Sequence, residues 1–410
     1  MKKGRDIIAA LRPSHPISSV ILILTTLLIG DVWGQQPNKA TPPPPAPLVP
    51  AEQAWLRSLP ASPAAAGVMD ARRVYVPLQE GGTLAFDRET GETAWTNPLG
   101  APWPLVLAPS LVVAINTGEV AAFNRDSGET RWRVELPSNS LAPAVTVGNL
   151  LLLALENGSI VALRTEDGAS VWTCRIGDWM LPVSLAADER AVYATTGDSL
   201  VVGVDLSTGA LKWRRSLAGT LSPPALGKDR VFVGSTRNAF FALDASTGRE
   251  LWRWDAELIG GDVIGAAVDG DVTYFVGLDN LLHAVNRGNG NQRWKQPTPM
   301  RPIAAPMAFG GVVAVFGISP VVATFNAKTG AAIGTYALPA ESGASSKPTL
   351  LVDPDLQPFR VSMVVITADG RAIGLRPSGM MFREAPAAPL TELPGRQLQR
   401  ERLPITPTTR

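Results

Sequence analysis

The stretch FALDASTGRELW, residues Phe241–Trp252, decides the fold of this chain. A short apolar strand leads into Asp244, whose carboxylate can accept hydrogen bonds from the backbone that follows and so start a tight turn. Gly248 supplies the positive φ that such a turn needs at little steric cost. A second strand then begins and carries Trp252. The stretch therefore predicts two antiparallel strands joined by a turn.

This unit recurs along the chain. A Gly is followed four residues later by a Trp in six pairs: Gly91/Trp95, Gly128/Trp132, Gly168/Trp172, Gly209/Trp213, Gly248/Trp252 and Gly290/Trp294. Successive Trp residues of the series are 37, 40, 41, 39 and 42 residues apart. Two further units keep the turn but lose the Trp. Gly334 replaces it in the first of them, and Phe382 lies nearby in the second.

A repeat of about 40 residues has the size of a propeller blade. Upstream of the turn lie a second apolar strand, such as Arg230–Val233, and a Pro-containing apolar stretch, such as Ser222–Leu226, which bring each unit to four strands. Eight units over residues 59–384 predict an all-β, eight-bladed propeller with four-stranded antiparallel blades. We expect the repeat Gly and Trp residues to be structural, with each Trp packed between neighbouring units and its indole N–H bonded to a backbone carbonyl. An open array of units is the alternative.

The two ends of the chain differ in composition from the repeat. Basic residues at the start precede the apolar run Ile17–Gly30, and Val32-Trp33-Gly34 predicts signal-peptidase cleavage before Gln35. Residues 1–34 are thus expected to be a signal peptide, with an uncleaved membrane anchor as the alternative. The expected location is the periplasm. Residues 35–58 indicate a Pro-rich linker, and residues 385–410 a disordered tail containing Pro and Arg.

Composition and motifs exclude several classes of function. The net charge is +1, with 37 basic and 36 acidic residues, and no basic block of the kind that binds nucleic acid stands in the repeat. Cys174 is the only cysteine, so no disulfide can form within the chain. His15 and His283 are the only histidines. Hydrolase and phosphate-loop motifs are missing from the sequence, and we expect no catalytic residues.

The recurring Asp-x-x-Thr-Gly-x-x-x-Trp pattern resembles the tryptophan-docking repeat of PQQ-like β-propellers. This family includes quinoprotein dehydrogenases, which hold PQQ and calcium, and the non-enzymatic outer-membrane assembly factors of the BamB type. Many of the dehydrogenases carry a vicinal Cys pair and lid insertions, whereas this chain has one cysteine and evenly spaced units.

The resemblance to the BamB type therefore implies a cell-envelope scaffold that acts through protein–protein interaction. It implies no cofactor, and a protein that is monomeric within a larger complex. The alternative is a quinoprotein dehydrogenase that binds PQQ and calcium, or a redox or sensor protein. The cysteine to which a lipid would be attached is missing after the apolar run, a departure from the assembly factors.

Four bulky residues fall outside the repeat register and are candidate anchors for a protein partner: Trp103, Trp179, Arg237 and Arg301. Three belong to connections between blades and Arg237 to a loop between the second and third strands of a blade. In propellers these segments share one face. Simple loop packing is the alternative for all four. Asp262, Asp269 and Asp271 match no cation-loop spacing and are expected to be turn residues.

Overall fold

The computed structural model describes residues 51–177, 182–255, 261–317, 321–337, 349–352, 361 and 363–377. In these residues 32 strands form eight four-stranded antiparallel sheets. The eight-bladed propeller expected from the repeat is confirmed. Blades 1 to 7 each use four consecutive strands, whereas blade 8 takes its outermost strand from the other end of the described chain.

The strand bounds follow the repeat. Blade 1 contains β2 (Val68–Met69), β3 (Arg73–Pro77), β4 (Thr83–Asp87) and β5 (Thr93–Asn97), and blade 2 contains β6 (Val106–Leu107), β7 (Leu111–Asn116), β8 (Glu119–Asn124) and β9 (Thr130–Glu135). Blade 3 contains β10 (Val145–Val147), β11 (Leu150–Ala154), β12 (Ser159–Arg164) and β13 (Ser170–Arg175), and blade 4 contains β14 (Pro182–Ala187), β15 (Ala191–Thr196), β16 (Leu200–Asp205) and β17 (Leu211–Ser216). Blade 5 contains β18 (Ala225–Gly227), β19 (Arg230–Ser235), β20 (Ala239–Asp244) and β21 (Glu250–Asp255), and blade 6 contains β22 (Val263–Asp269), β23 (Val272–Gly277), β24 (Leu281–Asn286) and β25 (Gln292–Pro297). Blade 7 contains β26 (Met307–Phe309), β27 (Val312–Phe316), β28 (Val321–Asn326) and β29 (Ala332–Ala337), and blade 8 contains β30 (Thr349–Val352), β31 (Met363–Ile366), β32 (Arg371–Pro377) and β1 (Ala51–Ser58).

Burial within a blade explains the sequence pattern. The second and third strands are covered on both faces by the neighbouring blades, so β23 is buried at every position and β20 at all but its last. Such strands favour unbroken apolar runs. The fourth strand forms the outer wall and alternates between exposed and buried side chains, as β13 does. The core is therefore a ring of apolar seams between blades.

The ring is closed by β1, which pairs antiparallel with β32 from Ala51↔Pro377 to Ser58↔Arg371. The expectation that residues 35–58 are a linker is wrong for residues 51–58, and the propeller begins at Ala51 rather than at residue 59. Trp55 in β1 supplies the tryptophan that blade 8 lacks in its own repeat. Phe382 lies outside the described residues. Because this pairing joins strands from opposite ends of the described chain, blade 8 lacks the unpaired strand edge that an open ring would expose.

Seven tryptophans join one blade to the next. Each indole N–H donates to a backbone carbonyl in the turn of the following blade: Trp55 to Arg88 (2.9 Å), Trp95 to Arg125 (2.8 Å), Trp132 to Thr165 (3.0 Å), Trp172 to Leu206 (2.8 Å), Trp213 to Ala245 (3.0 Å), Trp252 to Arg287 (3.0 Å) and Trp294 to Ala327 (3.2 Å). This is the type of partner expected for a buried indole.

The repeat Gly lies directly beneath the Trp of the preceding blade. A Cβ added to Gly128 would come within 2.5 Å of the Trp95 ring, and one added to Gly248 within 2.4 Å of the Trp213 ring. Both residues also have positive φ, +75° and +70°. Gly is therefore required twice at this position, for the turn and for the close approach of the ring. Within one sequence motif, the Gly therefore packs in the seam with the preceding blade and the Trp packs in the seam with the following blade.

The residue opposite each Trp on the third strand is small. Ala or Gly pairs with the Trp in seven blades, as Gly203 does with Trp213 and Ala242 with Trp252. In blade 7 the Trp is replaced by Gly334, and its partner is Thr324, whose hydroxyl donates to the Gly334 carbonyl at 3.0 Å. A small residue therefore stands opposite each large Trp, and a larger residue, Thr324, stands opposite Gly334, as a close-packed interior requires.

One polar side chain interrupts the apolar seam between blades 5 and 6. His283 of β24 is 2% exposed and stacks on Phe275, with ring centroids 4.8 Å apart, while Trp254 of blade 5 lies 4.6 Å away. Its Nε2 is 3.8 Å from the Asp279 carboxylate, beyond hydrogen-bond distance, and neither ring nitrogen has a hydrogen-bond partner among the described residues. Burial lowers the pKa of His283, and the approach of Lys295 lowers it further, whereas Asp279 and Gln292 act in the opposite direction.

This arrangement predicts that acid weakens the seam. The folded-state pKa of His283 lies below its value in the unfolded chain, so the unfolded state binds more protons. The contribution of the neutral imidazole to the free energy of unfolding is therefore fully present above about pH 6.5 and is lost as the pH falls below that value. A difference of one between the two pKa values corresponds to a loss of about 1.4 kcal/mol. Denaturant unfolding at pH 7.5 and pH 5.5 measures it. His283→Val introduces the residue that blade 4 carries at the same position, Val202, and should lose less stability over this interval than the wild type; parallel losses would contradict the prediction.

A candidate interaction face

The connections between blades and the loops between second and third strands form one face, held together by backbone hydrogen bonds. In four blades a residue one or two positions after the second strand donates its N–H to a carbonyl of the preceding connection: Gln79 to Ser62 (2.9 Å), Glu156 to Asn139 (2.9 Å), Thr236 to Thr220 (3.0 Å) and Leu278 to Asp262 (2.9 Å). These bonds make the face a rigid platform for loops that differ in sequence. The expectation that the two kinds of segment share a face is confirmed.

Arg237 lies at the tip of the loop between β19 and β20 and is exposed. Its backbone N–H donates to the Ser235 hydroxyl at 3.1 Å, and Asn238 beside it has φ of +55°. Thr220 of the connection donates its N–H to the Thr236 hydroxyl at 2.9 Å. The aliphatic part of Arg237 covers Gly219, where a Cβ would come within 2.6 Å of it. The loop is therefore well defined, and the guanidinium at its tip has no ion pair among the described residues.

Arg301 lies in the connection between β25 and β26 and is exposed. The backbone around it is anchored, since Pro302 and Gly317 form an isolated bridge and Ile303 donates its N–H to the Phe316 carbonyl at 3.1 Å. Its guanidinium likewise makes no ion pair with any residue that the structure describes. Two exposed arginines thus stand on anchored segments of the same face.

The structure describes one of the two candidate tryptophans, Trp103. Trp103 is half-buried in the connection after blade 1 and packs against the apolar cluster of blades 2 and 3, together with Trp132 and Leu136. Part of its side chain therefore serves packing. Trp179 lies outside the described residues.

The candidates do not form one cluster. Arg237 belongs to blade 5, Arg301 to the connection into blade 7, and Trp103 to the connection into blade 2, across the ring from Arg237. A partner that touches all three has to span the face. Arg237 and Arg301 are separated by blade 6 and form the closer pair.

A surface cavity on the same face was missed by sequence reasoning. It has a volume of about 580 Å³ and lies at blade 2, between the loop at Thr117 and the end of β9. Arg133 of β9 pairs with Glu119 at 3.1 Å in its wall. Glu135 is a third charged residue of the lining. The alternation of charges on β9 is the sequence signal, but it also fits an ordinary solvent-facing strand.

The opposite face consists of the repeat turns. Asp244 caps its turn by accepting hydrogen bonds from the Thr247 N–H (2.9 Å) and hydroxyl (2.8 Å), and the hydroxyls of Ser246 and Thr247 hold its pKa below the usual range. Glu89 accepts a hydrogen bond from the Val361 N–H at 3.1 Å, so it connects blade 1 to blade 8. Arg249 lies in the same turn as Asp244 and is exposed.

The acidic residues considered for calcium do not converge. Asp262 precedes β22 on the connection face, whereas Asp269 and Asp271 lie at its far end on the turn face. In the described part of the chain, three or more potential metal-ligating side chains nowhere cluster. Asp271 instead pairs with Arg293 at 2.5 Å. Cys174 is buried on β13, and burial raises the pKa of its thiol, which disfavours the reactive thiolate.

The described part of the chain has no helix that could cross a membrane. Eight four-stranded blades and the tryptophans that dock each blade onto the next together define a PQQ-like β-propeller. The chain belongs to the family of the outer membrane protein assembly factor BamB, whose model matches residues 116–223 and 197–376.

Individual relatives are distant. The chain is 25% identical over 228 residues to the outer membrane protein assembly factor BamB of Burkholderia pseudomallei, which covers 52% of this chain and 59% of that protein. It is 29% identical over 172 residues to the BamB of Alkalilimnicola ehrlichii, covering 40% and 44%. The chain thus spans about half the length of the relatives that it matches.

Solved structures share the fold. BamB from Moraxella catarrhalis superposes with a TM-score of 0.61 at 21% identity and covers 80% of this chain and 97% of that one. A quinohemoprotein alcohol dehydrogenase from Comamonas testosteroni superposes with a TM-score of 0.60 at 13% identity, covering 80% and 76%. At these identities the likeness concerns the fold alone, and it does not separate a scaffold from an enzyme.

Proposed function

We propose that this protein is a non-catalytic scaffold of the cell envelope that binds a protein partner through its connection face and acts in outer-membrane protein assembly. The observation that carries the proposal is the platform itself. Its loops are anchored by backbone hydrogen bonds, and it presents the exposed side chains of Arg237 and Arg301. Arginine is favoured at the centre of protein interfaces because its planar group binds carboxylates bidentately and stacks on aromatic rings.

Membership in the BamB family supports this proposal, because the name of that family describes assembly of outer-membrane proteins. The expected export signal of residues 1–34 supports a periplasmic location, with a membrane tether if the signal is not cleaved. We propose one or more protein partners of the envelope and a protein that is monomeric within their complex. Anionic side chains on the partner would complement Arg237 and Arg301.

An enzymatic role has less support from the described residues. His283, the histidine of the propeller, is buried in a seam, and Cys174 is buried in the outer wall. Neither is placed to act as a base or nucleophile on a substrate from solvent. Because three or more potential metal-ligating side chains nowhere cluster in the described residues, we propose that the protein works without PQQ or calcium. Titration of the purified full chain with PQQ and calcium, followed by absorbance, tests this directly: stoichiometric binding with dye-linked alcohol oxidation would reverse the assignment.

The double variant Arg237→Ala/Arg301→Ala is expected to weaken partner binding by about tenfold or more, because interface arginines are frequent hot spots. The measurement is capture of envelope proteins from detergent extract by the tagged chain, quantified by mass spectrometry, with the melting temperature of each variant alongside. Both side chains are exposed, so the melting temperature should not change.

Arg249→Ala is the matched control, since it removes an exposed arginine from the turn face. It should capture the same proteins as the wild type. Glu89 is unsuitable as a control because it connects blades 1 and 8. Loss of capture by Arg249→Ala with full capture by the double variant would place the binding site on the turn face.

A further inference from the structure

The outer walls of four of the eight blades carry positive charge beside the docking tryptophan. The residues immediately before and after the Trp face solvent, and in blades 2, 4, 5 and 6 one or both are cationic: Arg131, Arg133, Lys212, Arg214, Arg253, Arg293 and Lys295. A fourth strand has an outer backbone edge to which another strand could add. Charged side chains on such an edge hinder that addition, because a strand pairing there would have to lie alongside them.

Blade 7 departs from this pattern in three ways. Its outer strand β29, Ala332–Ala337, contains no charged residue. Ile333 stands at the position before the missing Trp, where blades 2, 4 and 6 carry a cation, and it is 45% exposed. Gly334 replaces the tryptophan, so β29 lacks the indole hydrogen bond by which the outer strands of the other seven blades are tied to the next blade.

No other described outer strand combines these features. β5 of blade 1 is also uncharged, but Trp95 ties it to blade 2, and the Arg57 guanidinium donates to the Thr93 hydroxyl at 3.0 Å. β13 of blade 3 exposes Val171 to the same 45% as Ile333, but it retains Trp172 and ends in Arg175. β1 of blade 8 exposes Leu56 and carries Glu52 and Arg57.

We propose that the outer edge of β29 is a docking site for an extended, uncharged segment of another polypeptide, which adds to blade 7 as a fifth strand. The backbone supplies the hydrogen bonds, and Ile333 with its neighbours supplies an apolar contact to alternate side chains of the added strand. The site lies on the side wall and is separate from the connection face, so it goes beyond the proposed function and does not depend on Arg237 or Arg301.

A foreign segment fits this edge better than a second copy of the chain. If the β29 strands of two copies were paired, the two blade 6 walls, each carrying Arg293 and Lys295, would be brought towards each other. Like charges brought together oppose association. A separate extended segment carries no such wall, and threonine or valine at alternate positions would match the uncharged surface of β29.

The probe is a short fluorescent peptide of alternating threonine and valine, capped at both ends, titrated into the full chain and followed by anisotropy. The test variant is Ile333→Arg/Thr335→Arg, which gives β29 the cations that β9 carries at the same positions as Arg131 and Arg133. Because blade 2 accommodates arginine there, the variant is expected to fold, and its melting temperature shows whether it does. We expect the peptide to bind the wild type and to bind this variant about tenfold more weakly or not at all.

Val171→Arg is the matched control, since it adds a cation at the equivalent, equally exposed position of blade 3. It should bind the peptide as the wild type does. Equal weakening by Val171→Arg and by the β29 variant would overturn the proposal, as would a wild type that does not bind the peptide. A concentration-dependent dimer in sedimentation that the β29 variant abolishes, without peptide binding, would overturn it in favour of a second copy as the occupant. Peptide binding that persists in the Arg237/Arg301 variant, whether or not that variant captures envelope proteins, supports a separate site on β29.

Discussion

Replacing Trp213 by Ala is expected to lower the free energy of unfolding by about 3–5 kcal/mol, the usual cost of truncating a buried aromatic side chain. Trp213 is 8% exposed and fills the seam between blades 4 and 5. Its ring lies against Gly203 on its own blade and Gly248 on the next, and its N–H donates to the Ala245 carbonyl at 3.0 Å. The variant loses this packing and leaves the partly buried Ala245 carbonyl without its donor. Equilibrium denaturation monitored by circular dichroism measures the loss.

Two control variants distinguish the loss of seam packing in Trp213→Ala from the effect of removing an exposed side chain or a tryptophan outside the repeat. Arg237→Ala should leave stability within about 0.5 kcal/mol of the wild type, as exposed substitutions usually do. The position of Trp103 outside the repeat predicts no contribution to stability, but its contacts with blades 2 and 3 correct that prediction. Trp103→Ala should therefore fall between the other two variants. Equal, negligible effects of Trp213→Ala and Arg237→Ala would refute the seam role of the repeat tryptophans.

Deleting residues 1–58 is expected to have the second large effect, because it removes β1 and reopens the ring. The deletion removes the outer partner of β32, which keeps only its pairing with β31, and it removes the Trp55 N–H bond to Arg88. Blade 8 would then be a three-stranded sheet with an exposed edge, and its seam with blade 1 would lose an indole. We expect a melting temperature lower by at least about 10 °C, or a chain that is recovered only as aggregate.

A chain that begins at Gln35 is the matched control, because it keeps β1 and removes only the expected signal peptide. Its melting temperature should equal that of the full chain. Trp55→Ala in the full chain should reproduce part of the loss, since it removes the docking side chain but leaves the strand. If the chain lacking residues 1–58 melts with the control, β1 does not close the ring.

The repeat in the sequence was sufficient to predict the blade count, the strand order within a blade and the packing role of six tryptophans. Blades 1 to 7 are each built from local contacts, and the turn that joins their third and fourth strands is encoded within a few residues by Asp or Asn, Gly and the alternation around them. Because every seam meets the same volume requirement, the same residue types recur at a constant period. The face shared by loops and connections follows from the alternating strand directions of a four-stranded meander.

Tertiary structure alone decided the features that depend on residues far apart in the chain. Trp55 is a docking tryptophan, but β32, the third strand of its blade, lies at the other end of the described chain. No Gly therefore stands four residues before Trp55, and the repeat pattern does not identify it. The seam position of His283, the connecting role of Glu89 and the exposure of Ile333 on β29 are likewise seen only when neighbouring strands and blades are compared in space. A periodic sequence determines the unit, whereas closing the ring pairs Ala51 with Pro377 and is determined by long-range contacts that no local pattern records.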